Sequence, residues 1–230
     1  MNNNPNLEVM KALENFSNGE KARKVQNYKD LNKNIIKDQI LFTGSSLMEH
    51  FPILELVQGD EEKCDKIIYN RGVAGFTTDE YLKNIDALCI DVHPSKIFIN
   101  IGTNDMNDRD DDVDWFAHLE ENYTGIMTII TSKLPHCQVY MMAYYPINET
   151  IIQNNNAPMA AKFKTRSMAK VHQANDMVKS LADKFGATYI DANDGLCDDS
   201  GQLRTELTVE GIHMYADGYK IVYENLKEYL

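Results

Sequence analysis

Ile40-Leu41-Phe42-Thr43-Gly44-Ser45-Ser46-Leu47 runs from an apolar stretch through a glycine and two serines into a segment with apolar residues at Leu47, Met48, Phe51 and Leu54. The first part is too short for a helix and the second has helical spacing, so the passage reads as strand, tight turn and helix start. A serine at such a turn stands at the carboxyl edge of a parallel sheet, where open α/β sheets bind ligands. It also stands beside a helix N-terminus, whose free N–H groups favour developing negative charge. Serine is equally a preferred helix N-cap, so the turn taken alone fits plain capping as well, and the rest of the chain decides between the two.

Working outward, β-prone runs recur at 38–43, 66–70, 96–101, 138–144 and 187–191, and stretches with helical spacing lie at 47–57, 78–90, 113–133, 160–185 and 216–229. This alternation predicts a parallel sheet covered by helices on both faces. Residues 8–33 have helical spacing but precede the first strand, so 1–37 is expected to be an N-terminal helical extension and 38–230 the main domain. The extension should pack on the outside of the sandwich or on a partner subunit, and a homodimer contact is one use for it. The stretch 146–160, with Pro146, Asn148, Asn154 to Asn156 and Pro158, reads as an irregular loop of the kind that shapes a pocket.

At 230 residues with 43% hydrophobic content, the chain has the size and composition of an ordinary globular protein with one core. A net charge of -12 with acidic residues spread along the chain argues against nucleic acid or an anionic membrane surface as partner. The first residues lack a basic and then apolar signal pattern, and no apolar run reaches the roughly 18 residues of a membrane span, so a cytoplasmic location is expected. Cys64, Cys89, Cys137 and Cys197 are far apart with no C-x-x-C pair, and read as reduced structural thiols.

A serine nucleophile needs a base within hydrogen-bond reach and a group to orient that base. Of the six histidines, His50, His93, His118, His136 and His172 lie in ordinary helix or turn contexts, whereas His213 follows Glu210 by three residues just before the last amphipathic segment. Positions three apart in a helical turn share a side, so Glu210 can hold one imidazole nitrogen while the other faces Ser46. An oxyanion formed during ester cleavage also needs fixed donors. Gly75, after the second run, lets a backbone N–H approach closely, and Asn104, after the third, carries a donating amide, although a plain turn and an N-cap also explain these residues.

These blocks together resemble the SGNH hydrolases, the GDSL-like esterase, lipase and acylhydrolase superfamily. Gly44-Ser45-Ser46-Leu47 is similar to its G-D-S-L block, Asn70 to Thr78 to its N-x-G-x-x-G-x-T-T block, Gly102-Thr103-Asn104-Asp105 to its G-x-N-D block, and Glu210-Gly211-Ile212-His213 to its D-G-x-H block. The resemblance covers residues 38–230 and implies a three-layer α/β/α, flavodoxin-like fold on a five-stranded parallel sheet. It implies Ser46 as nucleophile and first oxyanion N–H, Gly75 and Asn104 as the other oxyanion donors, His213 as base and Glu210 as its partner, with no metal and no cofactor. Two residues depart from the pattern: Ser45 replaces the aspartate before the nucleophile, and Glu210 is one methylene longer than the usual aspartate.

The expected function is a serine esterase that cleaves a small carboxylic ester, with a short acyl group such as acetyl on a carbohydrate, through an acyl-enzyme on Ser46. The alternatives are a lysophospholipase or thioesterase of the same superfamily, or a non-catalytic binding protein on the same fold. The acidic run Asp108 to Asp114 does not match a calcium loop, since Val113 and Leu119 occupy the positions where glycine and a bidentate glutamate belong. It reads instead as acidic residues favoured at a helix start.

Overall fold

The computed structural model describes residues 5–62, 64–108 and 113–230. Five strands, β1 (Ile40–Gly44), β2 (Ile68–Gly72), β3 (Lys96–Asn100), β4 (Gln138–Met142) and β5 (Thr188–Ile190), form one parallel sheet in the order β2-β1-β3-β4-β5. This is the expected three-layer sandwich. Each strand overlaps one of the five β-prone runs, and the central β1 and β3 show why: a strand buried on both faces must be a short apolar run whatever surrounds it.

The helices are α1 (Pro5–Asn32), α2 (Ser46–Glu49), α3 (Ile53–Gly59), α4 (Thr78–Lys83), α5 (Ile85–Leu88), α6 (Trp115–Lys133), α7 (Glu149–Asn154), α8 (Met168–Phe185) and α9 (Ala216–Leu226). Several differ from expectation for local reasons. The single segment expected at 47–57 is two helices, broken at Pro52, which cannot continue a ladder that needs its N–H. The segment expected at 78–90 breaks at Asn84. The loop expected at 146–160 contains α7, started by the Asn148 side chain, which accepts from the Ile151 N–H at 3.0 Å. The helix expected from residue 160 begins only at Met168, where Ser167 caps it, and a 3-10 turn occupies Pro158–Phe163. Asp114 caps α6 by accepting from the Phe116 and Ala117 N–H groups, while residues 109–112 of the acidic run lie outside the described residues.

Alternation along the strands sorts the core into two layers. Leu41, Ile97, Ile99 and Met141 face one side, against Val25 and Tyr28 of α1, Tyr81, Tyr123 and Val178. Ile40, Phe42, Phe98 and Ile190 face the other, against Met48, Ile53, Tyr219 and Val222. In that second layer the parallel register aligns Phe42, Phe98 and Tyr140 across three strands, and their rings stack at 4.6 and 4.7 Å. Phe51 and Tyr219 extend the stack beyond Phe42. Burying each such side chain stabilises the fold by about 1.5–3 kcal/mol.

Helix α1 is polar over most of its length yet is anchored along the edge strand β2. Val25 and Tyr28 are buried, the Tyr28 hydroxyl donates to Gly72 O at 2.8 Å, and Asn32 donates to Ala87 O at 2.8 Å. The Arg71 guanidinium lies 4.9 Å from the centre of the Tyr28 ring and donates to the Asn32 carbonyl oxygen. Ion pairs join Lys21 to Glu80 and Lys24 to Glu49. Among the described residues, no helix is long and apolar enough to cross a membrane.

Candidate active site

The register of the first three strands builds the site. Gly44 lies level with Gly72 on one side and Asn100 on the other, so the residues that follow each of them leave the same edge of the sheet. Ser46, Gly75 and Asn104 come two, three and four residues after those strand ends. The chain can turn there only because of Gly44, whose φ is +152°; a Cβ on it would sit 1.9 Å from Asn100 O.

Ser45 is the N-cap of α2 in extended conformation, and Ser46 is its first helical residue. The Ser46 N–H is therefore one of the first-turn donors that have no intrahelical acceptor. Ser46 is buried but not sealed off, with 8% of the residue exposed. The Ser45 hydroxyl is fully buried without a hydrogen-bond partner among the described residues, so the side chain that replaces the family aspartate supports nothing by hydrogen bonding.

His213 reaches the serine from the far end of the chain: its Nε2 lies 2.8 Å from Ser46 Oγ. On the other side of the ring, Nδ1 lies 2.5 Å from Glu210 Oε1, which also accepts from the His213 backbone N–H at 3.1 Å. The extra methylene of Glu210 is thus accommodated, and no backbone carbonyl replaces it. The two residues are not on a helix, however. They lie in a tight loop closed by an antiparallel bridge between Thr208 and Met214, in which the Thr208 hydroxyl donates to His213 O and accepts from the Gly211 N–H. The loop rests on the start of α7, where the Asn148 N–H donates to Gly211 O at 2.8 Å; a Cβ on Gly211 would meet Ile152 at 2.6 Å.

Gly75 adopts φ +76° in the turn after β2, and Lys21 of α1 crosses directly over it. The turn is held from beneath by Glu49, which accepts from the Ala74 N–H at 2.6 Å. A groove of about 300 Å³ runs alongside, between α1 and this turn, lined by Phe16, Lys21, Lys24, Glu49, Val73 and Ala74. Asn104 lies in a 3-10 turn after β3; its amide donates to Phe76 O at 2.9 Å and its carbonyl oxygen accepts from Arg166 Nη2 at 2.9 Å.

Asp105, the next residue, is buried and accepts from both the N–H and the hydroxyl of Thr78, fixing this turn to the start of α4. Burial pushes its carboxyl up to about 6, against the opposing pull of the Thr78 hydrogen bonds. Burial likewise pulls the Arg166 guanidinium down to about 10, which leaves it charged at neutral pH.

Two nearby residues were not singled out from sequence. The His50 ring centre is 5.4 Å from that of His213, and its pKa is lowered, first by burial and then by the neighbouring His213. Its spacing of four from Ser46 on a short helix was the available signal. Arg166 lay inside a segment read as continuous helix, and no local pattern marks an arginine that acts 62 residues away.

With the geometry in place, the known relatives can be compared. Residues 58–221 match the GDSL-like Lipase/Acylhydrolase family, a span that takes in Gly75, Asn104, Glu210 and His213. The chain belongs to this family. It is accordingly an ester-hydrolysing enzyme, and its family membership points to small-molecule substrates. No curated protein matches the sequence significantly.

Among solved structures, the chain is similar to a Streptococcus pneumonia protein described as a platelet activating factor. The two are 28% identical, cover 97% of this chain and 98% of the other, and superpose with a TM-score of 0.83. A GDSL-like lipase from Bacteroides thetaiotaomicron shares the fold at 15% identity, with coverage of 89% and 96% and a TM-score of 0.71. So does a catalytic mutant of an acetylxylan esterase from Geobacillus stearothermophilus, at 16% identity, coverage of 84% and 95%, and a TM-score of 0.61.

Proposed function

We propose that this acylhydrolase is a serine esterase that works through an acyl-enzyme on Ser46. The observation that carries the reading is the hydrogen-bonded relay from Ser46 Oγ to His213 Nε2 and from His213 Nδ1 to Glu210. Ser46 Oγ attacks the ester carbonyl carbon while His213 Nε2 takes the hydroxyl proton, and Glu210 holds the ring in the tautomer that leaves Nε2 free to accept it. The tetrahedral oxyanion accepts from the Ser46 and Gly75 N–H groups and from the second N–H of the Asn104 amide. His213 then protonates the departing alcohol. Water, activated by the same imidazole, attacks the acyl-enzyme and releases the acid and the free serine.

A short acyl group suits the site because the surroundings of Asn104 are polar. The Asn104 carbonyl oxygen is backed by Arg166, itself held by Asn107, so this side of the site is built from polar groups. The similarity to an acetylxylan esterase points in the same direction.

A fluorophosphonate probe tests the nucleophile directly: it should label the wild-type enzyme at Ser46 and leave Ser46→Ala unlabelled. An unlabelled wild type, or hydrolysis of p-nitrophenyl acetate unchanged in Ser46→Ala, would end the proposal and favour a non-catalytic binding protein. A series of p-nitrophenyl esters from C2 to C12 should give its highest kcat/KM at C2 to C4; a maximum at C8 or beyond would mean a lipase-like or lysophospholipase-like pocket instead.

A further inference from the structure

Arg166 is 3% exposed, and among the described residues its guanidinium has no carboxylate within ion-pair distance. The Asp105 and Glu210 carboxylates attract it from beyond that distance, and burying a charge is costly unless it is hydrogen-bonded, so its direct partners need explaining. They are two side-chain amides and a ring. Nε donates to the Asn107 carbonyl oxygen at 2.8 Å, Nη2 donates to the Asn104 carbonyl oxygen at 2.9 Å, and the guanidinium carbon lies 4.6 Å from the centre of the Phe163 ring.

The asparagine amide has an oxygen and a nitrogen of nearly the same size, and only the arrangement with nitrogen toward the oxyanion helps catalysis. An arginine has no acceptor and can be met only by the oxygen. The Phe76 carbonyl has no donor and can be met only by the nitrogen, which lies 2.9 Å from it. The two neighbours therefore enforce the same orientation, and one Asn104 N–H is left over. A charged donor on the amide oxygen also draws electron density from the nitrogen, making the remaining N–H a stronger donor.

We propose that Arg166 is a positioning residue of the oxyanion hole, fixing the orientation of the Asn104 amide and strengthening the N–H it presents to the reacting oxygen. This rests on the reading of Asn104 as an oxyanion donor. Arg166 does not touch the substrate; it acts through Asn104, with Asn107 as its second tether.

The test is a double-mutant cycle on p-nitrophenyl acetate in the full-length enzyme. Arg166→Met should lower kcat about 10- to 100-fold with KM changed less than about 3-fold, and Arg166→Lys, which restores the charge but not the two-armed geometry, should recover part of the loss. Asn104→Ala should lower kcat by about 100-fold, and adding Arg166→Met to it should cost less than a further 3-fold. Additive losses, or a loss confined to KM, would overturn the positioning role, the second by making Arg166 a substrate ligand. Wild-type kcat in Asn104→Ala alone would instead show that the oxyanion assignment had failed. Should Arg166→Met not fold, Asn107→Ala decides the matter: it leaves Arg166 in place but loosens it, and should lower kcat about 3- to 10-fold, whereas an unchanged kcat overturns the proposal.

Discussion

Replacing Glu210 by glutamine keeps the shape of the side chain and removes only its charge. On the proposed mechanism His213 carries, in the transition state, the proton taken from Ser46, so an imidazolium faces Glu210 across a 2.5 Å hydrogen bond. Charge centres about 4 Å apart attract by about 4 kcal/mol at an effective dielectric constant near 20. Both side chains keep some contact with water, 24% exposure for His213 and 21% for Glu210, which brings the expected loss nearer to about 2 kcal/mol. That corresponds to a fall in kcat of roughly 30-fold, with little change in KM because the charge develops only during the reaction. Glu210→Asp should do less harm, since it keeps the charge and shortens the reach by one methylene. Initial rates on p-nitrophenyl acetate, with active sites counted by fluorophosphonate, measure both. A Glu210→Gln enzyme within 2-fold of wild-type kcat would refute the assignment of Glu210 as the group that steadies the base.

Two further outcomes concern the frame around the site. Gly44→Ala puts a methyl group 1.9 Å from Asn100 O on a backbone that side chains rarely adopt, and should destabilise the fold by about 3 kcal/mol or more; a thermal midpoint within 2 °C of wild type would contradict this. Asp105 titrates at about 6 in the folded protein against 3.8 ordinarily, so between those values the folded state holds a proton that the unfolded chain releases. Its contribution to stability is full below about pH 4 and is lost as pH rises to about 6, by about 3 kcal/mol at most. Asp105→Asn lacks this titration, so the wild type should lose stability relative to that variant over this interval in urea titrations, and a difference independent of pH would count against the buried carboxyl.

The parallel sheet was readable because its central strands β1 and β3 centre on short apolar runs, Ile40-Leu41-Phe42 and Ile97-Phe98-Ile99, a pattern dictated by burial on both faces. Helix ends were less readable, since they depend on single residues such as Pro52, Asn84 and Ser167 whose local effect competes with a continuing apolar period. Ser46, Gly75 and Asn104 stood out because each follows a strand end, and β-sheet register turns that position in sequence into a position in space. Glu210 and His213 are in contact as their spacing suggested, but through a bridged loop and not a helical turn. Arg166 depends on partners brought close only by folding and no local pattern marks it, while His50 has only its spacing of four from Ser46 to set it apart.

The hydrogen bond between Ser46 and His213 joins residues 167 positions apart, with strands β2 to β5 between them in sequence. During synthesis the serine turn is made before the histidine, and it has no histidine partner until the 167 residues up to His213 have followed. The loop that carries His213 is then seated by α7 and by α9, whose Tyr219 and Val222 close the second layer of the core. A chain that stops short of His213 therefore holds a serine at a helix start and no histidine beside it. On the proposed mechanism hydrolysis begins only once β2 to β5 and the His213 loop are in place, which makes turnover a direct report on whether Ser46 and His213 have met.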